Sequence, residues 1–259
     1  MFLVLLLLQT APVAQKPLPT LNEMQFEECL TTARTDPASA VTEASLWSQQ
    51  GGDYLAKACH GFALANDFRF AEAVPLLTEA AQGADAQLDN RAAQFWAQAG
   101  NAAIAADMPE EALSTLDKAM QSAAPTDSER ADIEVDRART LVALNRADDA
   151  VAALSNARTL GPENATAWLL SATLARRLAK LPDALAYIQT AATLSPRDAA
   201  VALEAGNIAV AAGDEGTARR QWEQVIAIAP DSRQATTAQK QLAALGATST
   251  PPASDAQSR

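Results

Sequence analysis

A single histidine, His60, stands next to Cys59, and Cys29 lies 30 residues upstream. These are the residues whose chemistry would first suggest catalysis or metal binding. One histidine precludes a multi-histidine metal site and leaves any Ser-His-Asp system dependent on one position. Neighbours on a helix point in different directions, so Cys59 and His60 make a poor nucleophile pair, and a packed or partly exposed histidine is the expectation. No C-x-x-C motif is present to support redox exchange. The pairs Glu27-Glu28 and Glu110-Glu111 are expected near helix starts, where carboxylates favour the helix dipole. No glycine-rich phosphate loop occurs, and "QGGDY" at 50–54 reads as a helix end followed by a new helix. Asn164-Ala-Thr166 matches a glycosylation acceptor. No catalytic residue, cofactor or metal is predicted.

Composition narrows the function further. The chain has 259 residues and a net charge of −11, with 49% hydrophobic but only 5% aromatic residues. Such an acidic chain is a poor partner for nucleic acid or for an anionic membrane surface, because both need clustered Lys and Arg. The apolar content is largely alanine, which favours closely packed helices, and alternating β-branched runs are scarce. The apolar run at 2–8 with Ala11 and Ala14 reads as a short export signal, 1–14, cleaved after Ala14. Pro12 and the absence of a preceding Lys or Arg count against it, and the alternative is an N-terminal helix packed on the body. The run is too short to span a bilayer, so no stable membrane insertion is expected. In an exported protein Cys29 and Cys59 most simply form a disulfide, stabilising by roughly 3–4 kcal/mol. The alternative is two buried thiols.

The elements that position these residues come from a repeat. Pro162, Pro196 and Pro230 recur at one fixed interval, each in a small bend. Between them, 165–198 reads as an amphipathic helix carrying Trp168, Leu169, Ala172 and Ala175. A break at Leu181-Pro182 follows, then a second helix carrying Ala184, Leu185, Ile188, Ala191 and Ala192. The same skeleton returns in 199–232 with Gly206, Ala218, Trp222 and Pro230, and in 131–164 with Ala138, Ala150, Leu154, Ala157 and Pro162. The bends suit helix starts, with Ser195 and Asp198 resembling a capping box. Upstream, Trp96, Gly100, Ala112, Leu116 and Ala119 fit a unit at 93–130, and Gly61, Ala73, Leu77 and Ala80 one at 54–92, with insertions at 83–90 and 124–130.

These units resemble the tetratricopeptide repeat (TPR) family across about 54–232. The resemblance implies an all-α fold, a right-handed α-solenoid of about five stacked helix-turn-helix units. Residues 15–53 read as a degenerate helix pair capping the N-terminus, 231–245 as a closing helix, and 246–259 as a disordered Gly/Ser/Thr/Pro-rich tail. A Cys29–Cys59 disulfide would clip that cap to the first clear repeat. Trp96, Trp168 and Trp222 occupy repeat core positions and are expected to pack. Cys-bearing segments ahead of TPR units resemble envelope proteins of alphaproteobacteria, which implies a periplasmic or secreted protein.

The family resemblance also implies a concave groove lined by the first helices that takes a peptide or partner segment. Its groove positions fall here on Phe62, Asn66, Asn101, Arg139, Thr173, Arg176, Arg177 and Asn207. Asparagines and arginines there could hold a peptide backbone or a carboxylate. The Lys and Arg positions of carboxylate-clamping TPR domains are not all filled. The expectation is a non-enzymatic interaction scaffold of the bacterial envelope with a protein or peptide partner and no nucleic acid. The alternative is a structural subunit of an envelope assembly or secretion machine. Oligomeric state is not legible.

Overall fold

A computed structural model describes residues 18–122 and 125–248, so the candidate signal at 1–14 and most of the tail lie outside the described residues. The described chain is all-helical: α1 (Leu21–Thr35), α2 (Pro37–Gln49), α3 (Tyr54–Asn66), α4 (Phe70–Ala86), α5 (Ala92–Ala105), α6 (Pro109–Gln121), α7 (Asp127–Ala143), α8 (Ala147–Leu160), α9 (Ala165–Arg177), α10 (Leu181–Leu194), α11 (Ala199–Ala211), α12 (Glu215–Ile228) and α13 (Arg233–Thr248). Consecutive helices pack as antiparallel pairs, and each pair stacks on the next. The first helices also touch one another along the stack, with α1 on α3, α5 on α7, α7 on α9, α9 on α11 and α11 on α13. This is an α-solenoid of TPR type.

Within each pair a small residue on the first helix lies under a large residue on the second, 16 positions later: Gly61/Leu77, Gly100/Leu116, Ala138/Leu154, Ala172/Ile188 and Gly206/Trp222. The fit is tight. A Cβ added at Gly61 or Gly100 would sit 2.6 Å from the leucine Cγ, and one at Gly206 would sit 2.3 Å from Trp222 Nε1. Leu77, Leu116 and Trp222 are all fully enclosed. Burying each such side chain stabilises by about 2–3 kcal/mol. The indole N–H of Trp222 has no acceptor among the described residues, so part of that gain is offset by an unmade hydrogen bond.

The turn inside each pair also repeats. The N–H groups of Arg69, Met108, Arg146, Lys180 and Asp214 reach back to the carbonyls of Leu64, Ala103, Leu141, Ala175 and Ala209 at 2.8–2.9 Å. The residues just before those donors, Phe68, Asp107, Asn145, Ala179 and Gly213, all have positive φ. This is the Schellman stop, and glycine, asparagine and aspartate suit it best. Phe68 does not suit it, and its ring is left 82% exposed, edge-on to Phe70.

The periodic prolines act differently from expectation. Pro162, Pro196 and Pro230 follow the C-caps Gly161, Ser195 and Ala229, so they end one pair rather than start the next. Ser195 caps no N-terminus. Asp198 alone starts α11, its Oδ1 accepting from the N–H groups of Ala200 and Val201. Glu27 and Glu28 sit exposed in the middle of α1, and only Glu110 and Glu111 lie in a first turn.

At the N-terminus α1 and α2 pack onto α3, joined by the Cys29–Cys59 disulfide with Cα atoms 6.1 Å apart. Phe26, Phe62 and Phe95 cluster with centroids 5.9–6.4 Å apart, tying α1, α3 and α5 together. Beside them the Tyr54 hydroxyl donates to Asp89, which also accepts from Arg91. The Arg91 hydrogen bonds hold Asp89 down at about 2, and burial together with Asp89 pushes Tyr54 up to about 12. Because the folded Asp89 value is depressed, its contribution is full above the ordinary carboxylate range and fades as pH falls toward 2.

The terminal pair has only one neighbour in the stack, so it depends most on this staple. Reduction of Cys29–Cys59 is expected to lower hydrogen-exchange protection across 21–65 while leaving α7 to α12 unchanged. Equal protection with and without reductant would contradict that role.

Candidate functional site

The first helices carry two cavities between neighbours. One, about 360 Å³, lies between α5 and α7 and is lined by Gln94, Gln98, Asn101, Asp132, Ile133 and Asp136 among others. The second, about 190 Å³, lies between α7 and α9. Val142, Leu154, Leu170 and Leu174 form its floor, and Arg139, Thr173 and Arg177 its rim.

The eight residues predicted from sequence divide into two groups. Phe62 is half-buried in the aromatic cluster, and Asn66 Nδ2 donates to the Ala33 carbonyl at the end of α1, 2.9 Å away. Arg176 forks onto the buried Glu204, with Nε to Oε1 at 2.6 Å and Nη2 to Oε2 at 3.2 Å. Asn207 Nδ2 donates to the same carboxylate at 3.1 Å. These four bind other helices or helical neighbours of this chain. Asn101, Arg139, Thr173 and Arg177 line the cavities. Of them, Asn101 lies beside Asp136 and helps hold its carboxyl down, and Arg139 Nη1 meets Asp136 Oδ1 at 2.6 Å. Thr173 Oγ1 donates to the Leu169 carbonyl. Arg177 is exposed and has no partner among the described residues.

Sequence reasoning missed the carboxylates. Asp136 and Glu204 both precede a predicted groove residue by three positions, Arg139 and Asn207, on the same helix face. That spacing was the available signal. Burial is the main influence on Asp136 and raises its carboxyl above the usual range, with Arg139 and Asn101 opposing it. Its folded value being raised, Asp136 favours folding more as pH falls through that value.

His60 is half-buried, and burial and nearby Arg69 both lower its pKa. Among the described residues no group of three or more His, Cys, Asp or Glu is placed to hold a metal ion. Trp47, Trp96 and Trp222 are buried. Trp168 sits beside Tyr187 at 5.9 Å, with the Arg158 guanidinium 4.4 Å from the tyrosine ring and 5.3 Å from the indole. Trp168 Nε1 donates to the Pro162 carbonyl, pinning that turn. No helix of the described residues is long and apolar enough to cross a membrane.

The tetratricopeptide repeat sequence model matches residues 135–199 and 171–233. Solved structures align over most of the chain. PilW, described as a widely conserved type IV pilus biogenesis factor, aligns with a TM-score of 0.69 at 17% identity, covering 85% of this chain and 99% of its own. Pseudomonas aeruginosa pilF aligns at 0.65 and 16%, covering 85% and 99%. YrrB, described as a TPR protein with an unusual peptide-binding site, aligns at 0.51 and 21%, covering 78% and 98%. At these identities the likeness is one of fold. No curated protein matches the sequence.

Arg176 and Glu204 join α9 to α11, and Glu204 is only 7% exposed. Removing one partner of such a pair strands the other, at about 3 kcal/mol. Arg176→Met is therefore expected to lower stability to urea by about that amount. Adding Glu204→Gln should recover most of the loss. Equal stability of wild type and Arg176→Met would contradict the account.

Proposed function

We propose that this chain is a protein-interaction scaffold of the bacterial envelope, periplasmic or secreted, that holds a peptide or partner segment along its first-helix groove. The observation that carries this reading is the α7–α9 cavity. Its floor is aliphatic, with Val142 and Leu170 half-buried beside the buried Leu154 and Leu174, and on its rim Arg177 has no partner among the described residues. A partly open apolar pocket with the exposed Arg177 guanidinium at its rim matches peptide recognition, in which a few side chains anchor and polar groups orient. The repeats found at 135–233 and the likeness to peptide-binding YrrB are consistent with it. Within the groove set, Arg139, Thr173 and Arg177 are the contact residues, with Asn101 at the margin. Phe62, Asn66, Arg176 and Asn207 hold the wall in shape.

Export is supported by the apolar stretch at 2–8 and by the Cys29–Cys59 disulfide, a bond that persists in oxidising compartments. Likeness to PilW and pilF favours the second reading, a structural subunit of an envelope assembly machine. A stable stoichiometric partner bound away from the groove would distinguish it.

The test is quantitative capture of the tagged full chain from its native host after mild crosslinking. Arg177→Glu and Thr173→Tyr are expected to reduce recovery of the partner at least ten-fold, with unchanged helical signal. Leu185→Glu, on the exposed face of α10, should leave recovery unchanged. Equal recovery by all forms would contradict groove binding.

A further inference from the structure

The two cavities carry opposite charge and share a wall. The α5–α7 cavity is lined by Glu129, Asp132 and Asp136 with the amides of Gln94, Gln98 and Asn101, and no cation lines it. The α7–α9 cavity is lined by Arg139 and Arg177 above an aliphatic floor, and no anion lines it. Helix α7 separates them. Its Asp136 faces one side and its Arg139 the other, and the pair meets at 2.6 Å. Asp136 and Arg139 thus line different cavities from one helix.

Each side has capacity left. Asp132 is exposed and accepts one hydrogen bond, from Asn164 Nδ2 at 2.8 Å, and a carboxylate has room for more. Arg139 keeps a 45% exposed side chain beside its pair with Asp136, and Arg177 has no partner among the described residues. The aliphatic floor distinguishes this groove from a purely ionic one, because it rewards an apolar side chain delivered with the anion.

We propose that the groove reads an extended peptide segment that places a cationic side chain in the α5–α7 cavity and, about three residues away, an aliphatic side chain beside a carboxylate in the α7–α9 cavity. This rests on the groove-binding reading above. The spacing follows from neighbouring helices packing about 8–10 Å apart and an extended chain advancing about 3.3 Å per residue. The acidic half turns away polyanions, including nucleic acid, whereas a segment of mixed charge satisfies both halves. A segment of reversed charge order meets like charges at both positions and is rejected, which gives specificity.

The test is selection of a phage-displayed random dodecapeptide library on the full chain, on Thr173→Tyr, and on the charge-swapped double variant Asp132→Lys with Arg177→Glu. Peptides enriched on the wild type are expected to carry Lys or Arg two to four positions from an aliphatic–acidic pair. The double variant should bind those peptides, fluorescein-labelled, at least ten-fold more weakly and select the opposite charge order. Enriched peptides that show no charge pattern, yet fail to bind Thr173→Tyr, overturn the charge reading and leave groove binding standing. Enriched peptides that bind Thr173→Tyr as well as wild type overturn both, as does the absence of any enrichment.

Discussion

The close approach of two helices, allowed by a small residue facing a large one, is the constraint on which the rest of this structure depends. Gly61, Gly100, Ala138, Ala172 and Gly206 let Leu77, Leu116, Leu154, Ile188 and Trp222 settle against the first helix of their own pair. A bulkier residue at any of these sites pushes the second helix outward. Interiors are packed too densely to absorb that change locally. Because each pair is the platform for the next, a shift in one pair tilts every pair beyond it. The groove is therefore a product of packing on its far side.

The same constraint explains where polar chemistry can go. The faces between paired helices are small and apolar, so charged side chains sit on the outward surfaces of the helices, the first-helix surface among them. There the chain uses them in two ways. Arg176, Glu204 and Asn207 are spent on holding α9 against α11, and Asn66 holds α1 against α3. Arg139, Thr173 and Arg177 remain at a cavity, above Leu170 and Leu174. Residues of similar type at similar repeat positions therefore do different work, depending on whether a carboxylate stands across from them.

That distinction marks the limit of what the sequence discloses. The helix pairs of 165–198 and 199–232 are legible because their apolar spacing and prolines are local and periodic. So is the Cys29–Cys59 pairing, once both cysteines fall on first helices of adjacent pairs. The bends at the prolines suggest helix starts, because proline suits a first helical position and Ser195 and Asp198 have capping-box spacing, but α11 begins only after Asp198, and Ser195 finishes α10. The groove arginines are legible by repeat position. Their neutralisation is not, since Arg176 meets a carboxylate 28 residues away whose approach is set by the stacking of α9 on α11. Phe62 looked like a groove aromatic because nothing local shows that Phe26 and Phe95 enclose it.

The central claim is that the first-helix face, between α7 and α9, is the working surface. It is tested most directly by placing the photo-crosslinking residue p-benzoylphenylalanine at Thr173, and separately at Leu185 on the outer face of α10, in the native host. The account predicts a discrete covalent adduct from Thr173 and none from Leu185. An adduct from Leu185 alone would contradict it and move the working surface to the second helices.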